Sequence, residues 1–276
     1  MPVETDLPQQ QVNAYFQSSS AYWKRIYETR DLLPIIYQAR HAAVVEWVAG
    51  LRLPPASKIL EIGCGAGVLT RDLAVMGYSV EAVDAVPAMV ELTRQNAIAS
   101  GLAERVEASL ADVHDLPFPG DRFDLVIAVG VIPWLHDEDV GLLEMQRILK
   151  RGGHLIVTAD NDWRLNRLLD PFSSPLSRPL RNIMKLVFRR VGLYAVPTEF
   201  QPKRHTPGEV RRLLEASGLC QMNSRCVGFG PFTVFRRQAL PSKLGVTLHV
   251  CLQSLADSGV RPFHLTGVHY LALARK

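Results

Sequence analysis

Apolar residues in this chain follow two rhythms, and through its middle the rhythms alternate. Short runs rich in β-branched residues, at 58–62, 79–83, 106–109, 123–128 and 154–159, read as strands buried on both faces. Between them the apolar spacing becomes helical, over 68–76, over 87–100 with Pro87 in the first turn and Gly101 past the end, and over 139–149. Strand and helix in alternation predict an α/β protein with a doubly wound sheet. Residues 9–50 carry helical periodicity, with aromatics at Tyr15, Phe16, Tyr22, Trp23 and Tyr27 and an amphipathic stretch over 41–48. Those aromatics either pack on the first core helix or close over a ligand.

After the fifth strand the pattern breaks. Residues 161–205 are too long for an ordinary connection and hold a two-faced helix, with Leu180, Ile183, Met184, Val187 and Val191 on one side and Arg178, Arg181, Lys185 and Arg189 on another. Core grammar resumes at Thr206-Pro207-Gly208-Glu209, a capping-box spacing, then a helix, a sixth strand over 219–227 and a seventh over 268–274. A second insertion, near 228–266, carries a helix over 240–255. The expected organisation is a helical lid segment at 1–50, a core at 51–160, a helical cap at 161–205 and the rest of the core at 206–276.

The first strand runs into Gly63-Cys64-Gly65-Ala66-Gly67, and helical spacing begins at Val68. Glycines at such a junction let a ligand approach the backbone, and the helix behind them presents free N–H groups. The dinucleotide fingerprint G-x-G-x-x-G/A would need a small residue at position 68, where Val68 stands, so a nicotinamide-dependent dehydrogenase is the weaker reading. Instead the loop is G-x-G-x-G with Glu61 two positions ahead. This resembles motif I of class I S-adenosylmethionine (SAM) methyltransferases. Further segments resemble that family in order: Asp84 closing the second strand, where a Rossmann-type fold sets a carboxylate on ribose hydroxyls; Ala85 to Met89 beside the adenine; Asp112 and Val113 after the third strand; the fourth strand leading to Val129; and the turn over 149–155. The resemblance spans roughly residues 40 to 160 and points to ubiquinone/menaquinone-biosynthesis and small-molecule natural-product methyltransferases.

The resemblance implies a Rossmann-like, doubly wound seven-stranded sheet with helical cap insertions and SAM as cofactor. It implies cofactor contacts from Glu61, Gly63, Cys64, Gly65, Gly67, Asp84, Ala85, Met89, Asp112, Val113 and Val129. Loss of Asp84 is expected to weaken SAM binding with little effect on fold stability. Arg40 stands where some relatives place an arginine on the SAM carboxylate, but on its helix it reads as a solvated side chain.

Composition narrows the class. At 276 residues and 47% hydrophobic the chain can bury a large core. The first residues have neither a basic start nor an apolar run, and the longest apolar stretch, 125–135, is too short to span a bilayer, so a cytoplasmic protein is expected. Four cysteines without C-x-x-C spacing suit free thiols. Eleven Lys or Arg against five Asp or Glu between residues 160 and 212 give that stretch +6, leaving −2 for the rest of a chain whose net charge is +4. The basic helix over 178–191 is therefore a candidate for peripheral membrane contact.

A methyl acceptor such as a hydroxyl needs a base. His136, after the fourth strand, is the candidate, although the histidine often seen in ubiquinone-type relatives falls on Trp134. Asp160 and Asn161 resemble the Asp-Asn pair of metal-dependent catechol methyltransferases, yet no carboxylate follows the fourth strand, so no metal is expected. Nucleic acid is not the expected substrate: the turn that stacks an extruded base and the Pro-Cys nucleophile are both missing. The reading is O-methylation of a small, partly hydrophobic molecule. Alternatives are a methyltransferase-fold cyclase or a SAM binder without transfer.

Overall fold

The computed structural model describes residues 6–26, 31–170, 174, 202–234 and 237–276. Two helices, α1 (Asp6–Arg25) and α2 (Leu32–Leu51), precede the alternation β1 (Lys58–Ile62), α3 (Val68–Val75), β2 (Ser79–Asp84), α4 (Pro87–Ala99), β3 (Val106–Leu110), β4 (Phe123–Ala128), α5 (Glu138–Ile148) and β5 (Leu149–Asp160). A short helix α6 (Leu165–Leu169) follows, then α7 (Pro207–Ala216), β6 (Cys220–Val227), α8 (Ser242–Asp257) and β7 (His269–Arg275). Strand boundaries fall within a residue or two of the apolar runs, except that β5 begins at Leu149 and takes in the glycine turn.

The seven strands are ordered β3-β2-β1-β4-β5-β7-β6, with β7 antiparallel to both its neighbours. The order reverses between β1 and β4, and the crevice at the carboxyl ends of those strands is where such sheets bind ligands. Alternation along each strand divides the core. Ile59, Leu125, Ile127, Ile156 and Leu271 meet α2 and α3 on one face, while Leu60, Val126, Leu155 and Val157 meet α5 and α7 on the other. Both faces are covered, which is why the strands are nearly continuous apolar runs.

Local chemistry explains the element ends. Thr206 and Glu209 form the full capping box that starts α7, and Asp137 caps α5 by accepting from the Val140 N–H. The two-faced helix and basic stretch over 178–191 lie outside the described residues. The chain re-enters at Lys203, whose N–H donates to the Pro133 carbonyl, and at His205, whose N–H donates to the Asp160 carbonyl.

Asn161 is a clamp. Fully buried, it donates through Nδ2 to the carbonyls of Leu265 (2.7 Å) and Gly267 (2.8 Å) and accepts from the Trp163 N–H (2.9 Å). Its amide is thus spent on tying the end of β5 to the approach to β7. Asn161→Leu should therefore lower unfolding free energy by about 3 kcal/mol, since several buried backbone groups lose their partner. Urea denaturation checks this, and an unchanged midpoint would show the clamp to be dispensable.

Candidate functional site

The glycine loop between β1 and α3 is shaped by left-handed backbone at Gly63 (φ 70°), Gly65 (φ 54°) and Gly67 (φ 71°). The three differ in what a Cβ would meet. At Gly63 it would strike Val131 at 2.6 Å and at Gly67 Thr93 at 2.9 Å, whereas at Gly65 it would enter open space. Gly65 therefore leaves the backbone bare towards a cavity of about 700 Å³, which it lines.

The loop's amides are largely committed within the protein. The N–H groups of Gly63 (2.7 Å) and Cys64 (3.1 Å) donate to the Val83 carbonyl, that of Gly65 to Asp84 Oδ2 (3.0 Å), and that of Gly67 to the Cys64 carbonyl (2.9 Å). A pyrophosphate cradle needs such amides free. This loop suits a ligand that brings no phosphate there. Two side chains of α4 that the sequence did not signal hold the loop from behind: Thr93 donates to the Gly65 carbonyl (3.0 Å) and Asn96 to that of Ala66 (2.6 Å).

Carboxyl groups line one side of the cavity. Asp84, at the end of β2, accepts from Gly65 N–H and from Val86 N–H (2.9 Å), and each oxygen keeps a lone pair for a ligand hydroxyl. Burial raises its pKa, opposed by those amides. Because Asp84 grips the loop itself, its removal is expected to cost stability as well as binding, where the sequence alone suggested an unaffected fold. Asp112 is half-exposed and held below the usual carboxylate range chiefly by His114, whose Nδ1 lies 2.7 Å away. Glu61 sits beneath the loop, in contact with the Thr70 hydroxyl of α3. Burial pushes its carboxyl up to about 8, with Asp84 adding and Thr70 opposing.

Arg40 is not the solvated arginine expected of α2. It is 7% exposed, its guanidinium lies over the Tyr37 ring (4.7 Å) and beside Gly130, and its buried Nε has no hydrogen-bond partner among the described residues. An unpartnered buried guanidinium edge in a ligand cavity fits a carboxylate. At the far wall Tyr15 stacks on Trp134 (5.8 Å between centroids) and Phe16 meets the same indole edge-on (5.0 Å), so α1 lines the cavity.

Of the residues expected to touch the cofactor, Glu61, Gly63, Cys64, Gly65, Asp84, Ala85, Met89, Asp112, Val113 and Val129 all line this one cavity. Gly67 does not; its small size serves the approach of Thr93. His136 does not either. The turn Ile132–Trp134 puts Pro133, Trp134 and Leu135 into the wall and leaves His136 exposed, its ring against His114 at 3.7 Å between centroids. A base at that position would face away from the ligand. Cys64 is buried with a raised pKa, from burial first and then from Glu61, and is no nucleophile. Among the described residues no cluster of ligands could hold a metal ion.

Sheet order, loop and carboxylates together resemble those of class I SAM-dependent methyltransferase domains, and the residues present fit SAM. Residues 60–157 match the family described as a methyltransferase domain. The chain is 32% identical over 113 residues to the ubiquinone/menaquinone biosynthesis C-methyltransferase of Geotalea daltonii, which is 40% of this chain and 48% of that one. It is 27% identical over 176 residues to the ubiquinone biosynthesis O-methyltransferase of a Chelativorans species, 64% of either chain. It thus spans less than two thirds of these relatives' lengths. The magnesium protoporphyrin IX methyltransferase of Synechocystis, solved with S-adenosylhomocysteine (SAH) bound, shares the fold over 98% of this chain and 99% of its own, with a TM-score of 0.61 and 18% identity.

Two measurements follow from the carboxyls. Asp84→Ala should weaken SAH binding by about 2–4 kcal/mol in calorimetry and lower unfolding free energy by about 1–3 kcal/mol; unaltered affinity would refute the ribose role. Glu61, with its folded pKa above the unfolded one, is protonated in the fold between pH 4.5 and about 8 and more ionised in the unfolded chain. Stability of the ligand-free protein relative to Glu61→Gln should therefore fall as pH rises through that window, by roughly 4 kcal/mol at most. A pH-independent difference would show that Glu61 is ionised in the fold.

Proposed function

We propose that the protein transfers a methyl group from SAM to a small, partly hydrophobic acceptor, at a hydroxyl oxygen. The observation that carries this is one cavity with a bare glycine backbone and carboxylates along one side and an aromatic wall on the other. Asp84 would hold the ribose hydroxyls, Met89, Asp112 and Val113 would flank the adenine, and Arg40 would meet the carboxylate of the methionine half. Bound there, SAM supplies a methyl group on a sulfonium that leaves as a neutral thioether.

The chain's own contribution is alignment and exclusion of water. Proximity and orientation can provide most of the rate of such a transfer. The wall of Tyr15, Phe16 and Trp134 makes the acceptor's surroundings apolar, and Pro202 also lines the cavity. We assign α1 the part of a lid on this basis. The longer alignment is with an O-methylating relative, which favours oxygen over carbon. No helix among the described residues is long and apolar enough to cross a membrane.

The test is a thermal-shift panel of SAM, SAH, NAD and NADP, followed by transfer of tritium from methyl-labelled SAM to phenols, catechols and hydroxy acids. SAM and SAH should each stabilise the protein by about 2.7 kcal/mol at a hundredfold excess over Kd, and at least one hydroxyl compound should gain label in an ether linkage. Stabilisation by NAD alone would overturn the assignment, and label found only on carbon would overturn the choice of oxygen.

A further inference from the structure

A second cavity, of about 320 Å³, adjoins the first and shares Leu33, Tyr37, Asp160 and His269 with it. Asp160 ends β5, His269 begins β7, and the two are direct cross-strand partners in the antiparallel pair, so their side chains share a face. The Asp160 carboxylate lies 3.4 Å from His269 Nδ1, and the Tyr37 ring lies 5.4 Å from the imidazole, centroid to centroid. His269 is 4% exposed, and neither of its ring nitrogens has a hydrogen-bond partner among the described residues. A buried imidazole so placed calls for a reason beyond packing.

We propose that His269 is the base that takes the acceptor's proton, that Asp160 positions it, and that the smaller cavity admits the acceptor's reacting end. The proposal rests on the methyl-transfer reading above. As a lone pair of the acceptor oxygen forms the new bond to the methyl carbon and the C–S pair returns to sulfur, the hydroxyl proton passes to His269 Nε2, and from there to water after the product leaves. A carboxylate beside Nδ1 favours the tautomer with its proton on Nδ1, which leaves the lone pair on Nε2. The charged groups facing the ring are Asp160 from β5, Arg164 beyond it and Arg40 from α2. Burial lowers the pKa of His269, the two arginines add to this and Asp160 opposes it, so the ring is neutral and able to accept a proton near pH 7. Asp160 remains ionised: burial works against it, but His269, Arg164 and Arg40 hold its pKa low.

The experiment is nitrogen-15 NMR of histidine-labelled whole protein with SAH bound, with the His269 signal identified by its loss in His269→Gln. The expected result is an Nδ1–H tautomer at neutral pH, titrating below the ordinary histidine range, and a shift of the proton to Nε2 in Asp160→Asn. An Nε2–H tautomer in the unaltered protein overturns the proposal, and this readout stands even if His269→Gln fails to fold, because Asp160→Asn also marks the signal. SAH affinity by calorimetry should stay within about threefold in both variants; a loss beyond tenfold would make His269 a cofactor contact instead. On the hydroxyl compound that takes up label, His269→Gln should lower kcat by roughly 10²–10⁴-fold with KM little changed and abolish the acid limb of the pH profile, while His136→Gln keeps both. The reverse pattern would return the base to His136. Failure of SAH to bind the unaltered protein would instead sink the methyl-transfer reading.

Discussion

The contact on which the site depends is the grip of one carboxylate on one loop. Asp84 reaches from the end of β2 to the Gly65 N–H of the neighbouring connection and, with its other oxygen, to Val86 N–H at the start of α4. It fixes the loop in the left-handed turns that only glycine takes without strain, and it aligns the start of α4. The same bond decides what the loop can bind. With the amides of Gly63, Cys64, Gly65 and Gly67 turned inward, an anion such as pyrophosphate finds few donors, while a ligand with hydroxyls finds a carboxylate already oriented. Ligand class is thus set by which backbone donors the protein keeps for itself.

Much of this was legible in the sequence because it depends on short-range pattern. Strand 58–62, the three glycines and Val68 lie within a dozen residues of one another, and their meaning is local: a buried strand, a turn without Cβ atoms, a helix start. Pro87 in the first turn of α4 and the Thr206–Glu209 box are local in the same way. What was not legible depends on contacts between distant segments. Arg40 reads as a surface residue on an amphipathic helix until β4 brings Gly130 beside it. Thr93 and Asn96 carry no signal of their own, since their value is the distance to a loop 28 and 30 residues earlier. His136 failed for a related reason. Position after a strand end names the correct rim of the sheet, but the direction of a side chain on a tight turn is set by its neighbours, and here proline and tryptophan take the inward places.

Electrostatics divides the cavity into two regions. Around the loop, Glu61 and Asp84 are buried together, and burial raises both pKa values, with Asp84 adding to the rise at Glu61. Such a region favours an ammonium and neutral hydroxyls. Some distance on, Arg40 and Arg164 outnumber Asp160, and that region favours a carboxylate. A zwitterionic ligand of the right length is oriented by this difference before any close contact is made.

The position of β7 has a consequence for the order of events in making the protein. It lies between β5 and β6 although it is synthesised after both, so the two neighbours cannot pair through it until the later segment arrives. On a ribosome, the first five strands and the glycine loop can assemble while the sheet still has an open edge at β5. The arrival of β7 closes that edge and, in the same register, sets His269 opposite Asp160. His269 lines both cavities, so the arrival of the last strand completes the two together, and a chain stopped short of residue 269 would leave both open at the same wall.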